Sequence, residues 1–242
     1  MKKWLISNSE IIDIISKLIF GFASIIVGIS SVIIAGSAVK IQEKSVEVAS
    51  YELAAHLYVR ERYSYNEDSE VYEETVLEVF NSGGEIYNYS ARVLAYIECS
   101  EYFMGRNVSI NIPLNGYYFE STIFGNPSGI ISKHSGYKNN SKFIELIRES
   151  ESKNFRSERP YMEIARKTIV VVEYMNKLGE FKTEYFLDSN KISNPEEVLN
   201  IMEVLNNRFE FRNGVAMFLD IDDIDLDSVM KIYDKEIKEE SE

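Results

Sequence analysis

Hydrophobic and polar positions along this 242-residue chain fall into three successive patterns. The first is an uncharged stretch at residues 18–39, LIFGFASIIVGISSVIIAGSAV, which lies between Lys17 and Lys40. At about 1.5 Å per residue, a helix of this length crosses a hydrocarbon core of roughly 30 Å. A helix that is apolar on every side needs an apolar environment all around it. The pattern therefore predicts one transmembrane helix over residues 18–39.

Small residues recur within this stretch at alternating spacings of three and four. They are Gly21, Ser24, Gly28, Ser31, Ala35 and Ala38. A stripe of small side chains lets two helix backbones approach closely in lipid, and a period of about 3.5 residues favours a left-handed crossing. We expect a homo-oligomer or a partner membrane helix. The alternative is a chance alignment of residues that are common in membrane helices.

Shorter segments flank the span. Residues 1–17 form an N-terminal tail, and residues 40–56 show the helical spacing expected of a stalk that leaves the membrane. The apolar stretch is longer than that of an ordinary signal peptide and begins further along the chain, which favours an uncleaved anchor. The small residues at 36–38 leave cleavage by a signal peptidase open.

The orientation of the span in the membrane is indicated only by a small difference in positive charge between its two ends. Lysine and arginine residues near the two ends of the span are almost equal in number, with a slight excess on the C-terminal side. Positive charge marks the cytoplasmic side, so the count favours a cell-membrane protein with a cytoplasmic C-terminal domain. The single cysteine, Cys99, excludes an internal disulfide framework.

The second pattern, in the middle of the chain, is an alternation of apolar and polar residues. Residues 107–114 alternate strictly, and residues 168–175, TIVVVEYM, form the apolar, β-branched run of a central strand. Turn residues at 176–179 precede another alternating run, which predicts a hairpin over residues 167–188. About seven such strands predict a mainly antiparallel β-sandwich of immunoglobulin-like size over residues 57–190.

Two further segments complete the predicted architecture. Residues 125–160 interrupt the alternation as a long polar insert, with one short helix expected around Phe143 and Ile147. Residues 191–242 show the third pattern, which is helical, and the sequence Asn194-Pro195 is typical of a helix start. The predicted fold class is therefore membrane-anchored α+β: a transmembrane helix and stalk, then a β-sandwich, then a C-terminal helical segment with an acidic tail.

Charge limits the classes of partner. The chain has a formal net charge of −13, and residues 40–242 carry all of the excess negative charge. Phosphate contacts need lysine and arginine, so this balance argues against nucleic-acid binding. It suits solubility or a basic partner surface. The partners implied are the lipid bilayer and a protein partner of the predicted β-sandwich that the sequence does not identify.

An acidic stretch near the C-terminus resembles a calcium-binding loop in part. Positions 1, 3, 5 and 12 of such a loop would fall on Asp223, Asp225, Asp227 and Asp234. Ser228 stands where a glycine normally allows the sharp turn. The competing interpretation is a helix N-cap at Asp225 or Asp227. Calcium is the one cofactor that the sequence suggests.

Tyrosine is abundant, with 16 residues. Two adjacent groups, Tyr87 with Tyr89 and Tyr117 with Tyr118, would suit a binding surface if loops expose them. The alternative is that they reflect strand content, because strands are also rich in tyrosine.

Catalytic signatures are absent from the sequence: it contains no GxSxG, GxxxxGK[ST], HExxH or GxGxxG. We therefore assign no catalytic residue. Three functions remain open. The first is a membrane-anchored binding or scaffold protein. The second is a sensor-effector, in envelope stress or anti-phage defence, that acts by oligomerisation of its transmembrane helix. The third is a metal-dependent or acid/base enzyme on the β-domain.

Overall fold

One long helix, α1 (Ser9–Leu53), forms the N-terminal part of the protein. The computed structural model describes residues 8–103, 106–154, 161–208, 211–212 and 215–240. The predicted span and most of the predicted stalk are one uninterrupted helix of 45 residues. This helix is long and apolar enough to cross a membrane, and none of its residues is buried. Residues 1–7 of the predicted tail lie outside the described part of the chain.

Tertiary contacts divide the chain into two compact units, Met1–Glu52 and Leu53–Glu242. The strands of the second unit are β1 (Leu57–Asn66), β2 (Val71–Asn81), β3 (Ile86–Phe103), β4 (Arg106–Asn115), β5 (Glu120–Ile123), β6 (Gly129–Ser135), β7 (Tyr161–Asn176), β8 (Phe181–Leu187), β9 (Asn190–Lys191), β10 (Phe211–Arg212), β11 (Val215–Ala216) and β12 (Leu219–Asp220). Its helices are α2 (Asn139–Asn154), α3 (Pro195–Arg208) and α4 (Leu226–Glu240). We call this second unit the β-domain.

Two sheets organise the β-domain. Sheet A has the strand order β1-β2-β6-β5, and sheet B has the order β12-β4-β3-β7-β8-β9. Neighbouring strands within both sheets are antiparallel except for β12, which lies parallel to β4. Strands β10 and β11 form a separate antiparallel pair. The α+β class predicted from the sequence is confirmed.

A first hydrophobic core, the intersheet core, lies between sheets A and B. It contains Leu57, Val59, Leu77, Val79 and Ile131 from sheet A, and Ile86, Val170, Val172, Tyr174 and Phe186 from sheet B. Alternate residues of β7 enter this core because successive side chains of a strand point to opposite faces. Each large aliphatic side chain buried in this way contributes about 1.5–3 kcal/mol.

A second core, the helix-covered core, continues on the same face of sheet B. Here the residues of β3, β4 and β7 pack against α2 and α4 instead of sheet A, with Ile97, Ile112 and Leu146 among its members. The same face of β7 is therefore covered by a sheet at one end and by helices at the other. Cys99 lies in this core, and burial raises the pKa of its thiol to about 12, so the thiol stays protonated near neutral pH.

Helix α3 covers the opposite face of sheet B. Val198 and Leu205 of α3 pack against Tyr96, Ile169 and Val171, which makes a third buried cluster. The central strands of sheet B are thus buried on both faces. This explains the nearly continuous apolar run of residues 168–175.

Residues 167–188 and 125–160 of the β-domain can be compared directly with the elements predicted for them. The predicted hairpin is confirmed as β7–β8, and its turn carries Gly179 at a φ of +80°, a conformation that glycine adopts readily. The expected polar insert at 125–160 is wrong in part, because it contains strand β6. The helix expected around Phe143 and Ile147 is present as α2, which is longer than expected at 16 residues. Residues 155–160 of that insert lie outside the described part. Helices α3 and α4 belong to the same compact unit as the sheets.

Asn81 holds the first residues of the β-domain against its loops. Its Oδ1 accepts a hydrogen bond from the backbone N–H of His56 (3.2 Å), and its Nδ2 donates to the carbonyls of Gly84 (2.8 Å) and Pro127 (3.0 Å). The Gly84 N–H in turn donates to the Ala54 carbonyl at 2.7 Å. A side chain at Gly84 would clash with backbone atoms of Leu53, so this close approach requires glycine.

Candidate functional site

A buried ion pair lies where the intersheet core meets the helix-covered core. Arg166 of β7 and Glu61 of β1 form a bidentate pair, with Nη1–Oε1 at 2.9 Å and Nη2–Oε2 at 2.7 Å. Their side chains are only 12% and 15% exposed. Along β7, Arg166 shares its face with Ile164 of the helix-covered core and Val170 of the intersheet core. The pair therefore connects the two sheets.

Aromatic and hydroxyl side chains surround this pair. The Tyr118 hydroxyl donates a hydrogen bond to Glu61 Oε1 at 3.1 Å. Arg166 Nη1 donates to the Thr168 hydroxyl at 2.7 Å and to the Tyr118 hydroxyl at 3.3 Å. The guanidinium carbon lies 4.8 Å from the ring centroid of Tyr117, a stacking arrangement that arginine favours.

The protonation states of the cluster follow from these contacts. Burial alone would raise the pKa of Glu61, but the hydrogen bonds and charge of Arg166, with hydrogen bonds from Tyr118 and Tyr63, hold that pKa below its usual value. Burial alone would lower the pKa of Arg166, but the hydrogen bonds to Glu61 raise it. Burial also raises the pKa of Tyr118. At neutral pH the pair is charged and the phenol is neutral, which suits holding strands together better than transferring protons.

A second set of hydrogen bonds ties helix α2 to the same region. Asn139, at the start of α2, accepts from the Thr75 backbone N–H at 2.8 Å and donates to the Tyr117 carbonyl at 2.8 Å. The hydroxyls of Thr75 and Tyr117 lie 3.1 Å apart. Asn140 Nδ2 donates to the Tyr72 carbonyl at 2.6 Å. The buried polar groups of this region are thus paired, as buried polar groups must be.

Sequence reasoning missed this cluster, although a signal was present. Leu57, Val59 and Glu61 occupy successive inward positions of β1, so a carboxylate follows two apolar residues on the core face. Arg166 likewise interrupts an apolar face of β7. A charge at an inward strand position indicates a buried pair, but the two partners are 105 residues apart, and nothing in the sequence joins them.

His134 of β6 is a second buried titratable group. It is 3% exposed, and its Nε2 lies 3.2 Å from the Ser132 hydroxyl. Burial lowers its pKa to about 4. The imidazole is therefore neutral in the folded protein at pH 7.

We expect stability to fall as the pH is lowered through the range in which only the unfolded chain protonates His134. Its pKa is about 4 when folded and about 6.5 when unfolded, so stability is lost below about 6.5 and the loss levels off near 4. Between pH 7 and 5 the cost is about 2 kcal/mol. Urea unfolding of the wild type and of His134→Gln, whose amide can still bond Ser132, tests this. An equally steep pH dependence in both proteins would contradict the assignment to His134.

The four aspartates of the calcium hypothesis are distributed around the start of α4. Asp225 caps this helix, since its Oδ1 accepts from the Ser228 backbone N–H at 2.6 Å. Asp227 pairs with Lys153 at 3.0 Å, Asp234 lies on the third turn, and Asp223 precedes the helix. The competing interpretation, a capped helix, describes this segment. In the part of the chain that the structure describes, no group of three His, Cys, Asp or Glu side chains is placed to hold a metal ion.

The four tyrosines of the candidate binding surface lie in two places. Tyr87 and Tyr89 are on β3, where the Tyr87 hydroxyl donates to Glu85 at 2.8 Å and the Tyr89 hydroxyl donates to the Asn126 carbonyl at 3.2 Å. Tyr117 and Tyr118 belong to the buried cluster described above. Tyr117 is fully buried, so it cannot be part of an exposed surface, because its ring packs in the helix-covered core.

The small-residue stripe lies along α1. The Ser24 and Ser31 hydroxyls donate to the carbonyls of Phe20 and Val27, each at 2.8 Å, within their own helix. Apart from its chain neighbours and the nearby backbone of α1, no atom of the described residues lies within 4 Å of a Cβ placed on Gly21 or Gly28. Ala35 and Ala38 continue the stripe and are exposed. The helix thus places the six residues along one exposed stripe of α1.

Comparison of the chain with known proteins gives no assignment. No protein-family model matches the sequence, and no curated protein matches it.

Proposed function

We propose that the protein is a single-pass membrane protein that holds an immunoglobulin-like β-domain at the membrane surface, where the domain binds a protein partner. Helix α1 carries this proposal. Every large apolar side chain of residues 18–39 is more than half exposed. In water this exposure would cost about 25 cal/mol for each Å² of apolar surface, whereas a bilayer removes the cost.

An uncleaved anchor is favoured over a signal peptide. The small residues at 36–38, where a peptidase would act, lie inside a helix that continues without a break to Leu53. The lysines and arginines next to the span favour a cytoplasmic β-domain. We therefore propose, on this small excess of positive charge, that the β-domain faces the cytoplasm.

The strand order supports the immunoglobulin-like assignment. In that fold one sheet has the order A-B-E-D and the other contains C-F-G. Sheet A has the order β1-β2-β6-β5, which corresponds to A-B-E-D. In sheet B the order β4-β3-β7-β8 corresponds to C′-C-F-G. Helix α2 is then an insertion between strands E and F, and α3 and α4 follow strand G. Domains of this class commonly serve binding at cell surfaces and membranes, an analogy of fold rather than of site.

Membrane fractionation tests the anchor. The full-length chain with a C-terminal tag is expected to remain in the membrane pellet after washing with alkaline carbonate and to dissolve only with detergent. Mass spectrometry of the purified protein is expected to find the N-terminus intact. Full-length protein in the high-speed supernatant of a detergent-free lysate would contradict the proposal.

Clustering of the transmembrane helix is a second candidate function, in which the β-domain senses a ligand and the span responds by oligomerisation. The exposed glycines Gly21 and Gly28 favour it, since among the described residues nothing beyond their own stretch of helix lies within 4 Å of a Cβ built on either of them, and small residues let two helices approach closely. The serine hydroxyls of the stripe are already bonded within α1, so they leave no unpaired donor in lipid.

Substitution of Gly28→Ile and Ser31→Ile is expected to weaken self-association roughly tenfold, because the branched side chains keep two backbones apart. Energy transfer between two tagged copies in membranes measures this. Val27→Ile with Ile29→Leu is the matched control, since these residues lie off the stripe. Equal energy transfer in both variants would remove the clustering candidate and leave the anchor proposal intact.

A further inference from the structure

Three exposed tyrosines form a compact aromatic patch at the tip of the β1–β2 hairpin. Tyr63 and Tyr65 lie on β1 and Tyr72 lies on β2, and they are 51%, 51% and 53% exposed. The ring centroid of Tyr72 is 5.2 Å from that of Tyr65 and 6.3 Å from that of Tyr63, with both contacts edge-to-face. Tyrosine presents a large contact area with few rotatable bonds, which is why binding surfaces use it. We call residues 63–74 the hairpin tip.

The hairpin tip is strongly acidic. It contains no lysine or arginine, and neither do the residues that follow it as far as Arg92. Its acidic residues are Glu67, Asp68, Glu70, Glu73 and Glu74. Aromatic faces and carboxylates both attract cations, and together they favour lysine and arginine over neutral groups.

One cation from the chain itself already occupies the edge of this surface. The ammonium group of Lys138 lies 3.8 Å from Glu73 Oε1 and 5.5 Å from the ring centroid of Tyr137. A carboxylate and a tyrosine ring thus hold a lysine next to the hairpin tip. The rings of Tyr65 and Tyr72 offer the same chemistry, and among the described residues no lysine or arginine lies over either ring. The Tyr63 hydroxyl, in contrast, already donates to Glu61, the partner of Arg166.

The hairpin tip is held in place before any partner binds. Asn66 Oδ1 accepts hydrogen bonds from the backbone N–H groups of Asp68 (2.8 Å) and Ser69 (3.4 Å), and the Ser69 hydroxyl donates to Glu73 at 3.1 Å. The Tyr72 carbonyl is bonded by Asn140 at the start of α2. A surface that is already ordered loses little conformational entropy on binding.

We infer that the hairpin tip is the partner-binding surface of the β-domain and that it takes a lysine- or arginine-bearing peptide segment. The cationic side chains lie over the rings of Tyr65 and Tyr72, and the surrounding carboxylates neutralise their charge. This inference deepens the proposed binding role of the β-domain and does not depend on the membrane anchor.

Fluorescence anisotropy with a labelled peptide of alternating arginine and glycine tests the inference on the full-length protein in neutral maltoside micelles. We expect binding that weakens as salt is raised. Tyr65→Ala with Tyr72→Ala is expected to weaken it about tenfold, as two exposed cation–π contacts would. Tyr65→Phe with Tyr72→Phe is expected to keep most of the affinity, because the ring face remains.

Two controls distinguish specific binding at the hairpin tip from general attraction of the peptide to the negative charge of the β-domain. Tyr58→Ala with Phe181→Ala removes two exposed aromatic rings elsewhere, and Asp222→Asn with Asp223→Asn removes two exposed carboxylates elsewhere. Both variants are expected to bind as the wild type does. An affinity unchanged by Tyr65→Ala with Tyr72→Ala, or lowered as much by either control, would overturn the inference. A chain that fails to bind the peptide yet stays in the carbonate-washed pellet would overturn this inference and leave the membrane anchor standing.

Discussion

Arginine in place of both Ile26 and Ile29 is expected to move the full-length chain from the membrane pellet to the soluble fraction or to degradation. These two positions flank the centre of residues 18–39. On the scale of membrane insertion, isoleucine at the centre favours insertion by about 0.5 kcal/mol, whereas arginine opposes it by about 3 kcal/mol. The double substitution therefore costs about 7 kcal/mol of insertion free energy. The apolar residues towards the two ends of the stretch cannot offset this cost.

Two further variants test whether the loss of membrane association requires charge and whether that charge must lie within the predicted span. Ile26→Leu with Ile29→Leu keeps the span apolar and is expected to fractionate as the wild type does. Val46→Arg with Val48→Arg places the same charges on the same helix outside the predicted span, and it is also expected to leave fractionation unchanged. Retention of the Ile26→Arg, Ile29→Arg chain in the carbonate-washed pellet would show that α1 is not what holds the protein at the membrane.

Arg166→Met is expected to lower the free energy of unfolding by about 3–5 kcal/mol. The substitution removes the cation and leaves the carboxylate of Glu61 buried between the sheets without its charged partner. Thr168 and Tyr118 also lose a hydrogen-bond donor. Urea unfolding of the full-length protein in micelles, followed by tyrosine fluorescence, measures the change.

The double variant Glu61→Leu with Arg166→Met serves as the control for this prediction. It removes both charges, and replacement of a whole buried pair by apolar residues is often close to neutral. We expect it to regain most of the stability that Arg166→Met loses. A single variant within 1 kcal/mol of the wild type, or a double variant as unstable as the single one, would show that the pair is not the connection between the sheets that its geometry indicates.

The sequence revealed those elements whose signal is local. Residues 18–39 carry no charge and are mostly apolar, so the helix is predictable without knowledge of any contact. The β7–β8 hairpin was predictable for the same reason, since its turn residues and its two alternating runs are adjacent in the chain. The capped start of α3 at Asn194 and Pro195 is equally local, and its capping hydrogen bond from Glu196 N–H to Asn194 Oδ1 is 3.2 Å long.

The elements that the sequence did not reveal depend on distant partners. Helix α2 was expected only as a short helix because it has few apolar residues, and its start is fixed by hydrogen bonds between Asn139 and both β2 and the segment after β4. Tyr117 appeared suitable for a surface because its burial depends on α2 and α4, which lie elsewhere in the chain. Glu61 and Arg166 resemble ordinary solvated charges in the sequence, and only the packing of sheet A against sheet B brings them together. Local patterns contain no information on such pairings.

Strand β12 and helix α4 have a consequence for the order of biosynthesis. They supply one edge of sheet B and part of the cover over Ile110 and Ile112, yet they follow every other strand in the chain. A ribosome delivers α1, sheet A and the other strands of sheet B first, so the apolar surface under α4 stays open to water until residues 226–237 have emerged. In the anchored form that we propose, tethering to the bilayer during that interval would keep the chain apart from its neighbours and limit aggregation of the incomplete domain.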